Sequence, residues 1–403
     1  MMNRIVIILF FALLSVFVVS NACTKDDKPG EKPIFEEPED STTAFLFGAD
    51  LSYVNQIEDH GGSYKESGEL KDPYVIFKEQ GVHMIRLRLW HNPSWVYDLY
   101  NEEVPLYSGF PDVLKSIERA KGQGLQVNLD FHYSDTWADP GHQDVPQAWK
   151  NITSIDVLSD SVYNYTYKVL SDLAEKNLLP EMVQIGNETN CGMMFTNAPA
   201  AFPKLSVCDG NWSNAGKVFN AGINAVRAID TKYNKKTLIT LHVADPKNLD
   251  WWFTDMINKA GVTDFDIIGF SYYPNWHTTV SFDNLPALVT QVKNKFNRDI
   301  MVLETAYAFT SDNNDGYNNI FGGQSPIAKY PFSAEGQKQF LIDLTQNLID
   351  AGASGIMYWE PAWISSQMKD LWGTGSSWEN CTFFNFSGEL TETIQFMKYD
   401  YQK

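Results

Sequence analysis

From residue 44 onward one pattern recurs along the chain: a short apolar run, a polar stretch, then an apolar stripe at helical spacing. The apolar runs predict strands at Phe45–Leu51, Met84–Trp90, Gln126–Phe131, Met182–Gly186, Thr237–Val243, Phe265–Phe270, Ile300–Leu303 and Gly355–Tyr358. The stripes between them predict helices that include Pro111–Lys121, Ser161–Glu175, Ala215–Ile229, Leu285–Phe296 and Gly336–Ala351. Several helices stop at a glycine, as in Gln80-Gly81-Val82 and Gly122-Gln123-Gly124. Strands alternating with helices in this number predict an α/β fold, one (β/α)8 (TIM) barrel with long loops. A doubly wound sheet is the alternative, and no Gly-x-Gly-x-x-Gly follows the first strand to support it.

The N-terminal residues break the pattern. Met1-Met2-Asn3-Arg4 is a short basic start, and Ile5 to Val19 is an apolar run too short to span a bilayer comfortably. Ser20-Asn21-Ala22 sets small residues before Cys23, as at the processing site of a bacterial lipoprotein. On that reading residues 1–22 are a signal peptide and Cys23 is lipidated. An ordinary secretory signal cut near Ala22 is the other reading. Residues 23–41 are rich in Lys, Asp, Glu and Pro and bury no core, so they predict a flexible tether. Residues 42–403 are then an exported body, held at an outer membrane or cell surface, or secreted if Cys23 carries no lipid.

Composition narrows the partners. The formal net charge of -19 over 403 residues repels phosphate backbones and anionic membranes, so nucleic acid is excluded and the lipid is the only expected membrane contact. With 12 Trp, 19 Tyr and 25 Phe, the chain is rich in rings that fill cores or stack on flat ligands and sugars. With Cys23 committed to lipid, three cysteines remain; Cys191 and Cys208 flank a loop and can pair in an oxidising compartment. No Cys-x-x-Cys occurs, which argues against structural zinc. Nothing requires more than a monomer.

In such a barrel chemistry gathers where the strands end. The predicted strands deliver Asp50 and Ser52; Arg86, Arg88, Trp90 and His91; His132, Tyr133, Asp135 and Trp137; Asn187 and Glu188; His242 and Asp245; Tyr272 and Tyr273; Glu304 and Tyr307; and Trp359 and Glu360. Glu188 and Glu304 end the fourth and seventh strands, on opposite sides of the barrel mouth. A single buried glutamate reads more simply as a structural ion pair. Two facing carboxylates are what glycoside hydrolysis requires, one as proton donor and one as nucleophile or base. Arg88 is then placed to keep Glu304 ionised and Tyr272 to hydrogen-bond it.

Several motifs together resemble glycoside hydrolase family 53, the arabinogalactan endo-β-1,4-galactanases, within the clan of retaining barrel glycosidases with catalytic residues on strands 4 and 7. They are Phe47-Gly48-Ala49-Asp50-Leu51-Ser52, Arg86-Leu87-Arg88-Leu89-Trp90, Asp130-Phe131-His132-Tyr133-Ser134-Asp135, Trp137-Ala138-Asp139-Pro140, Gln184 to Glu188, Ser271 to Pro274 and Glu304-Thr305-Ala306-Tyr307. The resemblance implies that Glu188 is the acid/base and Glu304 the nucleophile, with retention of configuration and no cofactor. The expected substrate is β-1,4-galactan, cut internally. Asn187 is placed for the sugar 2-hydroxyl, and Trp359 for the floor of the −1 subsite. Trp90, Trp137 and Trp363 are candidate stacking platforms, and Asp50, His132 and Asp135 candidate hydroxyl partners. His132 and His242 also read as satisfied core histidines. His142 stands where relatives lead one to expect a lysine. Bacterial members can carry calcium between late loops. Asp312, Asn314 and Asp315 offer suitable oxygens, although Asn-Asp-Gly is equally a plain turn. Rival readings are a mannanase or endoglucanase of the same clan, or a surface glycan-binding lipoprotein without catalysis.

Overall fold

The computed structural model describes residues 45–101 and 104–402, so Cys23 and the signal and tether readings lie outside the described residues. Eight parallel strands close into a barrel: β1 (Leu46–Asp50), β2 (Met84–Leu89), β3 (Gln126–Phe131), β4 (Met182–Ile185), β5 (Leu238–Ala244), β6 (Ile267–Ser271), β7 (Asp299–Glu304) and β8 (Gly355–Tyr358). Each strand pairs with the next in sequence, and β8 closes the ring on β1. A short antiparallel hairpin, Lys65–Glu66 with Glu69–Leu70, lies outside it.

Alternation along the strands sorts the side chains into two environments. Outward positions such as Ile85, Leu87, Val127, Leu129, Val183 and Ile239 join the helices in the main apolar core. Inward positions Met84, Met182, Ile267, Met301, Leu303 and Met357 form a separate apolar plug across the barrel floor. Above it the interior turns polar, with Arg86, Asn128, Asp130, Gln184, Thr240 and His242 all buried. A buried polar layer is tolerable only if its groups satisfy one another.

The helices run longer than the periodicity alone predicts. The helix before β4 spans Ile155–Glu175, because Leu158 and Val162 extend the buried face found at Val169 and Leu173. The next spans Trp212–Tyr233 and ends at Asn234 in the left-handed region, φ 52°, a role asparagine shares with glycine. Leu249–Asn258, which buries Trp252, Phe253 and Met256, is a further helix beyond those named from the periodicity.

Gly269 on β6 faces the barrel interior, where an added Cβ would sit 2.3 Å from Leu303 Cδ1 and 2.9 Å from Thr240 Oγ1. Replacing Gly269 with alanine is therefore expected to overpack the interior and destabilise the protein by about 1–3 kcal/mol. Urea unfolding of the variant against wild type measures this. Equal midpoints would show that the plug has slack the packing does not suggest.

Candidate active site

On β2, Met84, Arg86 and Arg88 point inward in turn. Arg86 lands in the polar layer and becomes its hub. Its Nη1 lies 2.9 Å from Asp50 Oδ2, its Nη2 lies 2.8 Å from Asp130 Oδ2 and 2.7 Å from Asn187 Oδ1, and its Nε donates to Gln184 Oε1 at 3.1 Å. Nη1 also approaches Glu304 Oε1 to 2.9 Å, off the N–H direction, so this contact is an ion pair rather than a directed hydrogen bond. Burial works against the guanidinium charge, but the surrounding carboxylates more than offset it and hold Arg86 ionised.

Glu304 reaches this hub because of an irregularity in the ladder. Met301 and Leu303 both face the floor plug, so strict alternation would turn residue 304 outward. The register slips instead: Phe270 pairs with Val302 and Ser271 with Glu304, which skips Leu303 and brings the Glu304 side chain inside. Tyr273 then donates its hydroxyl to Glu304 Oε2 at 3.0 Å. Burial, and after it the Glu304 charge, push the Tyr273 phenol up, so it stays a donor.

Glu188 follows Gly186, which has φ 82°, and itself adopts φ 46°, a strained conformation for a residue with a side chain. The turn throws its carboxylate across the barrel mouth. Oxygens of Glu188 and Glu304 lie within 4.8 Å of each other and of a ring nitrogen of His242. Ser271 Oγ stands among all three, at 2.5 Å from Glu188 Oε1, 3.4 Å from Glu304 Oε2 and 2.9 Å from His242 Nε2. The trio is thus a hydrogen-bonded cluster rather than an ion cage.

The two carboxylates differ in charge support. Burial, and after it the charge of Glu304, push Glu188 well up, with only the Ser271 hydrogen bond and distant Arg86 opposing. Burial pushes Glu304 up as well, but Arg86 and the Tyr273 hydroxyl oppose it directly. Like charges this close do not both ionise readily. The pair therefore carries one negative charge near neutrality, and it rests on Glu304. His242 stays neutral, because burial and then the Arg86 charge depress it far below the usual imidazole range.

Around this centre runs a cleft of about 710 Å³, lined by Trp137, Asp139, His142, Asn187, Glu188, Tyr273, Trp276, Glu304, Trp359, Trp363, Trp372 and Trp378, among others. Of the residues expected from sequence, Trp137, Asn187, Glu188, Glu304, Trp359 and Trp363 meet here. Others go elsewhere. Arg88 pairs with Glu360 (2.6 Å), and its guanidinium lies 4.2 Å above Trp137 and 3.9 Å above Tyr53; Arg86 takes the place expected of Arg88 at Glu304. Tyr272 is buried with its hydroxyl unpartnered, and Tyr273 makes the bond expected of it.

Trp90 is not a platform: it is buried behind Trp137, with Nε1 on His132 Nδ1. Asp50, His132 and Asp135 are absent from the cleft lining. Asp50 binds Arg86 and Ser52, His132 binds Asp130, and Asp135 accepts from the Asn92 and Gln147 N–H groups. Tyr273, Trp276, Trp372 and Trp378 were the contributors least visible in the chain. The run Ser271-Tyr272-Tyr273-Pro274 was the one available signal for the first of them.

Away from the cleft, Cys191 and Cys208 form a disulfide. Asp315 is engaged as a turn residue, accepting from the Tyr317 and Ser376 N–H groups, while the Asn314 amide donates to Ser365. A calcium ion held by Asp312, Asn314 and Asp315 would have to compete with those backbone donors.

Comparison with known proteins places this arrangement. The family model described as glycosyl hydrolase family 53 matches residues 46–397. The chain is 40% identical over 362 residues to an arabinogalactan endo-β-1,4-galactanase of Cellvibrio japonicus, covering 89% of this chain and 92% of that one. It is 31% identical to an endo-β-1,4-galactanase of Bacillus subtilis, covering 88% and 86%. Among solved structures it resembles the Ignisphaera aggregans GH53 catalytic domain, with TM-score 0.77 and 35% identity over 92% of this chain and 99% of that one. A fungal β-1,4-galactanase structure gives TM-score 0.71 and 28% identity over 88% and 98%.

The hub yields a stability test. Arg86→Met would leave Asp50, Asp130 and Glu304 buried without their cation, and is expected to destabilise by about 3–5 kcal/mol. Chemical denaturation at neutral pH reads the loss directly. A change below about 1 kcal/mol, the usual worth of an exposed pair, would mean the network does not depend on Arg86.

Proposed function

The chain belongs to glycosyl hydrolase family 53, and on that footing we propose that it is an endo-acting, retaining hydrolase of β-1,4-galactosidic bonds in galactan and type I arabinogalactan. The observation that carries the proposal is the close approach of the two carboxylates, with oxygens within 4.8 Å. Retaining enzymes set the pair roughly 5–5.5 Å apart, and inverting ones roughly 6.5–9.5 Å to admit a water. Relatives named for galactanase activity support the choice of substrate over mannan or cellulose.

Glu304, ionised beside Arg86 and steadied by Tyr273, attacks the anomeric carbon. Glu188, kept protonated by burial and by the charge opposite, gives its proton to the departing oxygen. Once Glu304 is esterified that charge is gone, so Glu188 becomes the stronger acid and serves as base for the attacking water. Asn187, beside Glu188 in the cleft, is the candidate contact for the 2-hydroxyl. Trp359, Trp137 and Trp363 offer ring faces and edges to the sugars. The chemistry calls on no metal. A glycan-binding protein without catalysis would have no use for a proton donor and an ionised partner in this register. We further read residues 1–22 as an export signal and Cys23 as a lipid anchor, which places the enzyme outside the cytoplasm.

Product release from linear β-1,4-galactan, with mannan and cellulose alongside, tests the assignment. Short galacto-oligomers from galactan alone are expected, and Glu304→Gln or Glu188→Gln is expected to lower kcat by about 10²–10⁴-fold or more. Galactan left intact while a rival polymer is cleaved would refute the substrate. The Tyr273 role has its own control. Tyr273→Phe removes a hydrogen bond to a charged group and should lower kcat about 10–100-fold, whereas Tyr272→Phe should stay close to wild type. The reverse ranking would return the role to Tyr272.

A further inference from the structure

Ser271 sits where neither carboxylate can change charge without its hydroxyl responding. Its Oγ is 2.5 Å from Glu188 Oε1 and 3.4 Å from Glu304 Oε2. Behind it stands His242, with Nε2 at 2.9 Å. The hydrogen-bond demands around the ring settle which nitrogen carries the proton. The buried Glu188 backbone N–H points at His242 Nδ1 (3.3 Å), and the Gln184 side-chain amide approaches the same atom at 3.1 Å. A proton on Nδ1 would leave the Glu188 N–H without an acceptor, which is rare for a buried backbone group.

Asn187 Oδ1 also lies 2.9 Å from Nδ1, but it already accepts from Arg86 and Gln184, which fills its two lone pairs. The ring is therefore the Nε2–H tautomer, a fixed donor to Ser271 Oγ. The hydroxyl proton of Ser271 is then free to turn toward either glutamate.

We propose that Ser271, anchored by His242, is a positioning residue shared by both carboxylates, its hydroxyl turning to whichever of Glu188 and Glu304 carries the charge. In the resting pair the proton points to Glu304 Oε2. In the glycosylated state Glu304 is an uncharged ester, and the same proton points to Glu188 Oε1. Only the O–H rotates: no bond to carbon is made or broken at Ser271, and His242 keeps its proton throughout. Because Oε1 lies 2.5 Å from Ser271 Oγ while the hydroxyl proton points to Glu304, the acid proton of resting Glu188 fills that contact from Oε1 until it passes to the departing oxygen. The other ionisable groups facing the cluster are Arg86, Asp50, Asp130, Asp139 and Tyr273 toward the glutamates, and Arg86 and His132 toward His242. Burial keeps His242 from competing for the proton.

The inference rests on the two-glutamate mechanism proposed above, so its test has one readout that does not need turnover. Glutamate labelled with ¹³C at Cδ allows Glu188 and Glu304 to be titrated by NMR in wild type, Ser271→Ala and two His242 variants. The pH profile of kcat/KM on linear galactan is measured in parallel. A donor stabilises the charged form, so its removal raises both pKa values. Ser271→Ala is expected to move both limbs of the profile upward, the basic limb by about one pH unit, and to shift the Glu188 titration by the same amount. His242→Gln, whose amide still donates to Ser271, should keep the wild-type limbs, and His242→Leu should follow Ser271→Ala. ¹⁵N shifts of the wild-type ring should report Nε2–H on both sides of the basic limb. Unmoved titrations in Ser271→Ala, with activity lost uniformly or not at all, would reduce Ser271 to packing and overturn the proposal. An Nδ1–H ring would do the same. Galactan left uncut by the wild type would remove the functional reading, while the NMR titrations would still decide the Ser271 linkage.

Discussion

One buried guanidinium organises the upper half of this barrel. Arg86 gathers Asp50, Asp130 and Glu304, together with the side-chain oxygens of Asn187 and Gln184, at 3.1 Å or less. Taking a charge this far from water is costly, and an apolar layer would be as stable or more so. The network makes sense as a device for placing charge. It draws together the ends of five strands, and it fixes a negative charge at one chosen oxygen of one chosen glutamate.

Everything else in the site follows from that placement. Burial, and after it the charge of ionised Glu304, make Glu188 the neutral member of the pair. Two chemically identical side chains thereby take different roles through environment alone. The same logic explains the strain at Glu188: a left-handed φ at the strand end aims its carboxylate across the mouth instead of back into the polar layer, where it would compete for Arg86. Arg88, two residues further along β2, performs a parallel service higher up. Paired with Glu360 and lying over Trp137, it supports the aromatic wall of the cleft.

Much of this was legible in the chain, and the misses have identifiable causes. The barrel, its eight strands and the positions of Glu188 and Glu304 follow from apolar runs that end in charged residues. Choosing between Arg86 and Arg88 does not. Both point inward, and only the stagger of the closed barrel decides which of them reaches the level of Glu304. Tyr272 and Tyr273 present the same problem in another form. Their choice turns on the skipped residue between β6 and β7, and no residue type announces it, since Leu303 looks like any strand position. Trp90 and His132 sit at strand ends as expected yet are buried, and half-buried Asp135 is held by the Asn92 and Gln147 N–H groups. Such burial is a long-range property that local pattern does not carry.

If the single negative charge of the pair sits on Glu304 and acts as a nucleophile, the reaction must retain configuration at the anomeric carbon. That consequence is open to direct observation by recording proton NMR spectra during the first minutes of galactan hydrolysis, before the new reducing ends mutarotate. The β anomer is expected to appear first, with the α anomer growing in later. An initial α product would mean that water attacks directly and that Glu304 is not the nucleophile.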